Sequence, residues 1–431
     1  MAEPTRVVDD LRLGAWLKGY PGAKPPIDRA AIASQGWNLL AGDLPLPLAV
    51  LKQRALEHNL QWMQGFAAER GVQLAPHGKT TMSPQLFARQ IDAGAWGITF
   101  GNVFQLRTGV EAGVRRAIVA NQVHQRADLD ALAAMHALHA DLRVAFLVDS
   151  PAQLALIEAW RATQARAPLF DVLLEIGIPG GRAGVRDHEA ALQLARALKA
   201  SASVRLVGIE CYEGLQASGD TARDEAHVDA LLQRVAGVVE AADREGLFEA
   251  GEVIVSAGGS AVFDLVAARL PLRGLALSRP VRPLLRSGCY ITHDHGHYQR
   301  YVSAVNQRCG IIHGLQGALE LWTEVQSVPE PGLALLTAGR RDAGFDAGLP
   351  VPLWHAPHGA RTAERADAAW QITALNDQHA YLRSSGGAVA VAVGDRIGLG
   401  IQHPCTTFDK WHWMPIVDDD YRVVDAVTIH F

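Results

Sequence analysis

The 431-residue chain carries 40 Lys and Arg against 45 Asp and Glu, a net charge of −5 with His neutral, and 49% of it is hydrophobic. This mildly acidic balance argues against a nucleic-acid-binding protein, which needs a basic surface, and no apolar stretch approaches the ~20 residues of a membrane-spanning helix. Residues 1–14 lack the apolar segment of a signal peptide. The four cysteines include no C-x-x-C pair, so no disulfide framework is indicated and we expect a cytoplasmic protein.

Short apolar runs alternate with longer helical segments between residues 46 and 291. Runs of four to eight residues rich in Val, Ile and Leu are typical of strands buried on both faces. The predicted strands are Leu46–Leu51, Val72–Ala75, Gly97–Phe100, Ala117–Ala120, Arg143–Val148, Asp171–Ile176, Val204–Glu210 and Glu252–Val255. Eight β/α units of this total length predict an α/β fold with a (β/α)8 barrel over residues 46–300. A doubly wound open sheet is the alternative.

The pattern changes after about residue 300. Helical periodicity fades, and β-prone runs separated by turns take over: Ala318–Val325, Leu333–Ala338, Gly386–Val393 and Val423–His430. Residues 301–431 are therefore predicted to form a β-domain. Residues 1–45 are predicted to be an N-terminal extension that packs partly on this β-domain.

Lys79 is the first candidate for chemistry. It lies in Ala75-Pro76-His77-Gly78-Lys79-Thr80, directly after a predicted strand, and barrel active sites lie at the carboxyl ends of strands. A lysine shielded from water there can attack a carbonyl, including that of pyridoxal phosphate. The alternative interpretation is an ordinary surface charge in a strand-to-helix loop.

Two glycine-rich turns follow later strands. In Ser256–Ser260, the backbone N–H groups and the Ser260 hydroxyl are suited to holding a phosphate at a helix start. The second turn is Arg286–Tyr290, and barrels often build phosphate sites from the loops after their last strands. Each turn also has a conformational explanation, since sharp turns favour glycine.

The segment His403-Pro404-Cys405 is a candidate metal pair. In an extended segment, residues at i and i+2 point the same way, so an imidazole and a thiolate can share a cation. Nitrogen with sulfur favours zinc over hard metals. The alternative is a buried cysteine beside a structural histidine.

Other histidines are given structural interpretations. His293, His295 and His297 alternate and are a possible second metal site, but we prefer a polar loop beside the active site. His379 stands alone and is interpreted as a packed residue.

Six motifs in order carry a family resemblance: Pro76–Thr80, Asp92–Gly97, Arg182–Val185, Tyr212–Gly214, Arg286–Tyr290 and His403–Cys405. From about residue 40 to its end, the chain resembles the D-serine dehydratase and D-threonine aldolase family, and is most similar to members described as amino acid deaminases. These are pyridoxal-phosphate enzymes of the alanine racemase fold. The resemblance implies a barrel followed by a β-domain, and a homodimer.

The resemblance also implies roles for residues. Lys79 corresponds to the Schiff-base lysine, His77 lies beneath or beside the cofactor ring, and Arg182 is the candidate partner of the ring nitrogen. His403 and Cys405 correspond to a metal pair for Zn²⁺, with Mn²⁺ or another divalent ion as the alternative. The implied phosphate or ring contacts are Tyr212, Gly259, Ser260, Gly288, Cys289 and Tyr290.

Two departures favour one activity within the family. Aldolases of the family generally carry Asp where this chain has Cys405, and a histidine shortly after the Tyr-x-Gly turn where this chain has residues 215–218, Leu-Gln-Ala-Ser. We therefore expect a dehydratase that converts D-β-hydroxy amino acids, such as D-serine, to a 2-oxo acid and ammonia. The alternatives are a D-threonine aldolase, a racemase with Tyr290 as second acid or base, and a non-catalytic pyridoxal-phosphate carrier.

Overall fold

The computed structural model describes residues 12–431. Its strands are β1 (Arg12–Leu13), β2 (Ile27–Asp28), β3 (Leu48–Lys52), β4 (Gln73–Leu74), β5 (Ile98–Phe100), β6 (Arg116–Gln122), β7 (Arg143–Val148), β8 (Phe170–Ile176), β9 (Val204–Cys211), β10 (Val253–Ala257), β11 (Val281–Leu285), β12 (Leu319–Glu330), β13 (Leu333–Leu336), β14 (Val351–Ala356), β15 (Glu364–Arg365), β16 (Trp370–Leu375), β17 (Ala380–Ser384), β18 (Arg396–Gly400), β19 (Trp413–Val417) and β20 (Val423–Thr428).

The α-helices of the same residues are α1 (Gln53–Arg70), α2 (Pro84–Asp92), α3 (Val103–Glu111), α4 (Arg126–Leu138), α5 (Pro151–Ala162), α6 (His188–Ala200), α7 (Thr221–Arg244), α8 (Phe263–Arg269), α9 (His297–Cys309) and α10 (Cys405–Phe408). One helix separates each pair of consecutive strands from β4 to β11. None of the described helices is long and apolar enough to cross a membrane.

Strands β4 to β11 form one parallel sheet in the order β4-β11-β10-β9-β8-β7-β6-β5. The two ends of this sheet meet, because the amides of Trp96 and Thr99 donate to the carbonyls of Leu74 (2.7 Å) and Pro76 (2.8 Å), and His77 forms a parallel bridge with Thr99. The predicted (β/α)8 barrel is confirmed, and the open doubly wound sheet is wrong. A doubly wound sheet reverses its strand order partway along the chain, whereas this order never reverses.

The barrel interior has an apolar part and a polar part. Eight buried residues from β4 and β6–β11 or next to them form a separate apolar cluster: Ala75, Ile118, Ala145, Leu147, Leu173, Val207, Ile254 and Leu284. Towards the carboxyl ends of the strands, the buried residues become charged, as with Glu175 of β8 and Glu210 of β9. The strands therefore present polar chemistry at the end where barrel active sites lie.

The C-terminal residues form a largely antiparallel sheet in the order β15-β14-β18-β12-β13-β17-β16, extended by β19, β20 and β3. Here one predicted barrel strand was wrong: Leu46–Leu51 overlaps β3, which pairs with β12 and β19 of the β-domain. The eighth barrel strand is β11 instead, which the prediction missed because Arg282 and Pro283 interrupt its apolar run. The apolar character of a segment indicates that it is buried, but it does not indicate which sheet the strand joins.

The described part of the N-terminal extension contacts the β-domain. Trp413 donates its indole N–H to the Lys18 carbonyl at 2.8 Å, and Arg29 pairs with Asp425 of β20 at 2.7 Å. Residues 1–11 of the predicted extension lie outside the described residues.

Candidate active site at the barrel mouth

Lys79 occupies a single 3₁₀ turn, Gly78–Thr80, that follows β4. Its side chain is exposed, and it makes no hydrogen bond or ion pair with any residue that the structure describes. The turn packs closely on the barrel, because a Cβ at Gly78 would approach side-chain atoms of Ile98, Phe87 and Phe100 at 2.8, 2.9 and 3.0 Å. The lysine amine is thus unengaged, while its backbone is held against the barrel rim.

His77 directly precedes the turn that holds Lys79 and forms a parallel bridge with Thr99 of β5. Its Nδ1 is buried and has no hydrogen-bond partner. Burial, together with the positive charges of Lys79, Arg286 and Arg182, holds the His77 pKa well below 6.5. The imidazole is therefore neutral at physiological pH, and Nδ1 is an orphaned polar atom at the mouth of the barrel.

The two glycine-rich turns predicted to hold a phosphate lie side by side after β10 and β11. The Ser287 hydroxyl of one turn donates to the Gly259 carbonyl of the other at 2.7 Å. In the first turn, the amides of Gly258 and Gly259 donate to the two carboxylate oxygens of Glu213 at 3.0 and 2.7 Å. These amides therefore already bind an anion of this chain, which is how backbone nests recognise phosphates and carboxylates.

The remaining predicted cofactor contacts border these turns. A small cavity is lined by Ser260, Cys289 and Tyr290, together with Tyr298 of α9. Tyr290 is buried, and its phenol hydrogen-bonds Gln90 of α2 while burial raises its pKa. Gly288 must be a glycine, because a Cβ there would press on the backbone and Cβ of His77.

Tyr212 and Arg182 form an outer part of the mouth. The guanidinium of Arg182 lies 5.3 Å from the centre of the Tyr212 ring, and Arg182 is otherwise exposed. Burial and the nearby Glu213 charge raise the Tyr212 pKa to about 12, so its phenol stays protonated.

Arg286 is a second arginine of the mouth, and the sequence analysis gave it no role. Its side chain is only 4% exposed. It pairs with the buried Glu210 and donates to the Ser256 hydroxyl (2.8 Å) and the Cys211 carbonyl (3.0 Å). One Glu210 oxygen has no partner, and burial, opposed by Arg286, raises the Glu210 pKa to about 8. Arg286 and Glu210 could have been identified from the sequence, because each is a charged residue at the end of an otherwise apolar strand.

The predicted metal pair comes from the β-domain. The His403 and Cys405 side chains hydrogen-bond each other, and this contact, with the neighbouring Asp346, raises the His403 pKa to about 9. The Nδ1 of His403 lies 2.6 Å from the carboxylate of Asp346. The predicted extended geometry is wrong, since Pro404 is helical and α10 begins at Cys405; the two side chains meet within a tight turn instead.

Cys405 reaches the barrel mouth. Its Sγ lies 3.5 Å from the Thr80 hydroxyl, which is next to Lys79 in the chain, and 3.6 Å from the Sγ of Cys289. The candidate lysine, the phosphate turns and the candidate metal pair therefore share one site. Within residues 12–431, no three His, Cys, Asp or Glu side chains already converge as a metal-binding group.

The three alternating histidines form no metal-binding group within the part of the chain that the structure describes. His293 hydrogen-bonds Gln299 at 2.8 Å, and Nδ1 of His295 is buried without a partner. The His297 ring centre lies 6.2 Å from that of His403. Asp294, which stands between His293 and His295 in the chain, accepts backbone amides at the start of α9 with its carboxylate. This segment therefore caps a helix beside the site.

Two family models and several known proteins match this chain. Residues 51–275 match the family model "Alanine racemase, N-terminal domain", and residues 318–417 match "Putative serine dehydratase domain". The chain is 27% identical over 373 residues to a D-threonine aldolase of an Arthrobacter species (86% of this chain, 89% of the relative). It is 29% identical over 383 residues to a D-threo-3-hydroxyaspartate dehydratase of a Delftia species (84% and 92%).

Solved structures share the fold. The crystal structure of D-threonine aldolase from Filomicrobium marinum has a TM-score of 0.76 and 25% identity, covering 91% of this chain and 97% of that one. The Delftia dehydratase has a TM-score of 0.70 and 23% identity, covering 91% and 99%.

Proposed function

We propose that this chain, which belongs to the family defined by the alanine racemase N-terminal domain, is a pyridoxal-phosphate- and zinc-dependent dehydratase of D-β-hydroxy amino acids such as D-serine. The products are a 2-oxo acid and ammonia. The observation that carries this proposal is the contact of Cys405 with Thr80, because it brings the metal pair to the turn that holds Lys79.

The residues present fit pyridoxal phosphate. Lys79 is the unengaged amine for its aldehyde, and the two joined turns with Gly259, Ser260, Gly288, Cys289 and Tyr290 suit its phosphate. The orphaned Nδ1 of His77 and the unpaired oxygen of Glu210 mark a polar site that lacks its partners. When bound, this cofactor withdraws electrons from the substrate Cα.

In this proposal, the Lys79 amine would hold the cofactor through its aldehyde, and Nζ, once the substrate amine has displaced it, would accept the substrate Cα proton. His77 stays neutral beside it, so it adds no positive charge that would oppose protonation of the lysine. Tyr212, with its phenol protonated, is a hydrogen-bond donor at the outer mouth. The protonation states of His77 and Tyr212 follow from burial and the surrounding charges.

Two arginines are candidates for the partner of the cofactor ring nitrogen. Arg182 is the partner expected from the sequence, but it is exposed and lies over Tyr212. Arg286 is buried and directly precedes the phosphate turn at Gly288. Because an arginine cannot give up its proton, either residue would keep the ring nitrogen unprotonated.

His403 and Cys405 are the proposed metal ligands, and zinc is the proposed ion because one donor is a soft thiolate. The metal supplies Lewis acidity toward the β-hydroxyl that leaves. Asp346 orients the imidazole, as carboxylates commonly do for histidines that bind metals.

An aldolase is the second candidate, because two relatives are named 3-hydroxy-D-aspartate aldolase and D-threonine aldolase. The deciding experiment incubates the pyridoxal-phosphate- and zinc-loaded enzyme with D-serine, D-threonine and 3-hydroxy-D-aspartate. A 2-oxo acid with equimolar ammonia supports the dehydratase. Glycine with an aldehyde supports the aldolase, and no product from any D-amino acid supports a pyridoxal-phosphate carrier.

The assembly and location stay predictions. We propose a homodimer in which the β-domain of one subunit lies near the barrel mouth of the other, and a cytoplasmic enzyme. A D-amino acid is the only partner that the proposal needs.

A further inference from the structure

We propose that Cys289 is a third protein ligand of the metal, so that the site consists of two thiolates, Cys289 and Cys405, and the imidazole of His403. Cys289 lies in the turn after β11, which the sequence analysis assigned to the cofactor phosphate or ring rather than to a metal. It is buried, and its sulfur faces Cys405 across the boundary between the barrel and the β-domain.

The distance between the two sulfurs suits a shared ion. Two thiolates bound tetrahedrally to zinc, each about 2.3 Å from the metal, lie about 3.8 Å apart. The Sγ atoms of Cys289 and Cys405 are 3.6 Å apart. A disulfide would require about 2.05 Å, so the two residues are free thiols whose spacing is already that of two metal ligands.

The surroundings of the sulfurs are polar. The Thr80 hydroxyl lies 3.7 Å from the Cys289 sulfur and 3.5 Å from the Cys405 sulfur. Ser260 lines the same small cavity as Cys289. Buried cysteines that serve only packing are usually surrounded by apolar groups, whereas these two thiols share a hydroxyl neighbour in Thr80.

His403 completes the set only by moving. Since no three potential ligands converge within residues 12–431, the imidazole, which already contacts Cys405, must come closer to Cys289 when the ion binds. Each Cys gives up its thiol proton to solvent as its sulfur–metal bond forms, so binding releases protons. Two sulfurs and one nitrogen leave a fourth tetrahedral position for the substrate or water, as in catalytic zinc sites.

Metal binding without turnover tests this inference. The inference rests on the proposed function only in assuming that the bound ion takes part in the reaction. Metal binding itself is measured with no substrate present. Metal-free wild-type enzyme and the variants Cys289→Ser, Cys405→Ser and Cys309→Ser are titrated with Co²⁺, and the sulfur-to-cobalt charge-transfer band in the near ultraviolet is recorded. Cys309 is the matched control, because it lies near Arg70 and Asp264 and away from the site.

We expect Cys289→Ser and Cys405→Ser each to lose about half of the band, because one of two thiolates is removed, while Cys309→Ser keeps all of it. Zinc affinity, from competition with a chelator, should fall by at least about tenfold in Cys289→Ser, since loss of an orienting partner alone costs that much. Retained pyridoxal-phosphate absorbance in Cys289→Ser, or in Cys289→Ala if the serine variant fails to fold, shows an intact turn.

A full-intensity band and unchanged zinc affinity in the folded Cys289 variants would overturn the inference. Cys289 would then contribute to the phosphate turn alone. The dehydratase proposal would survive that result, because it needs only His403 and Cys405, whereas a zinc-binding enzyme without product formation would overturn the dehydratase and leave the ligand set intact.

Discussion

Glu213→Gln should loosen the turn that we propose for the cofactor phosphate. Glu213 is fully buried, and its two oxygens accept the Gly258 and Gly259 amides at 3.0 and 2.7 Å. Glutamine has nearly the same shape but only one accepting oxygen. Its NH₂ group would face one of the two backbone N–H groups, so that donor loses its partner in a buried site.

The expected cost follows from these two bonds. A hydrogen bond to a charged acceptor contributes about 1.5–3 kcal/mol, and the surviving bond weakens because its acceptor is no longer ionised. The free energy of unfolding of the cofactor-free protein should therefore fall by roughly 2–4 kcal/mol. If about 1.4 kcal/mol of this lost free energy must be regained to order the turn when the cofactor binds, pyridoxal-phosphate affinity falls about tenfold.

Asp224→Asn is the matched control. Asp224 is also buried, and it accepts the Ser218 and Gly219 amides at 2.8 and 3.0 Å. Asp224→Asn thus also removes a carboxylate that accepts two backbone amides, but from a turn outside the proposed phosphate site. Urea unfolding and a spectroscopic titration with pyridoxal phosphate should show similar destabilisation in both variants, but weaker cofactor binding in Glu213→Gln alone.

Two results would refute this reasoning. Equal loss of cofactor affinity in the two variants would mean that general destabilisation, not the turn, controls binding. Tighter binding in Glu213→Gln would mean that repulsion between the Glu213 carboxylate and the phosphate exceeds the contribution of the two amide bonds.

Other changes separate the roles of individual residues. Lys79→Ala should abolish turnover and the visible absorbance of bound cofactor, and a reducible protein–cofactor bond that persists in this variant would place the Schiff base elsewhere. Chelation of the metal should stop release of the 2-oxo acid while the cofactor stays bound and the Cα proton still exchanges with deuterium oxide; full activity in rigorously metal-free enzyme would return His403 and Cys405 to structural roles. Cys405→Asp should shift metal preference from zinc toward manganese, measured by competition between the two ions, because a carboxylate replaces a soft thiolate. Gly78→Ala should cost about 1–3 kcal/mol of stability by overpacking, whereas Gly65→Ala in α1, where a Cβ meets nothing within 4 Å, should be neutral or stabilising in the same urea assay.

The sequence by itself determined the class of fold and the position of the central lysine. Runs of Val, Ile and Leu separated by helical segments indicate strands buried on both faces, and seven of the eight barrel strands lie where such runs were read. Lys79 directly follows one of them. These features depend on local periodicity and on chain order, which a sequence records directly.

The tertiary structure alone decided which strands pair and which side chains meet. Leu46–Leu51 was predicted to be a barrel strand, yet it overlaps β3, which pairs with the β-domain, because an apolar run can be buried in either sheet. Closure of the barrel depends on single hydrogen bonds between β4 and β5 that leave no mark in composition.

The contact of Cys289 with Cys405 joins residues that are 116 positions apart. The pairing of Arg286 with Glu210 likewise links the ends of two different strands. Such contacts arise because parallel strands gather their carboxyl ends at one rim, and because the β-domain packs onto that rim. The local sequence pattern specifies which residues must be buried. Only the packing of the whole chain specifies which residues they are buried against.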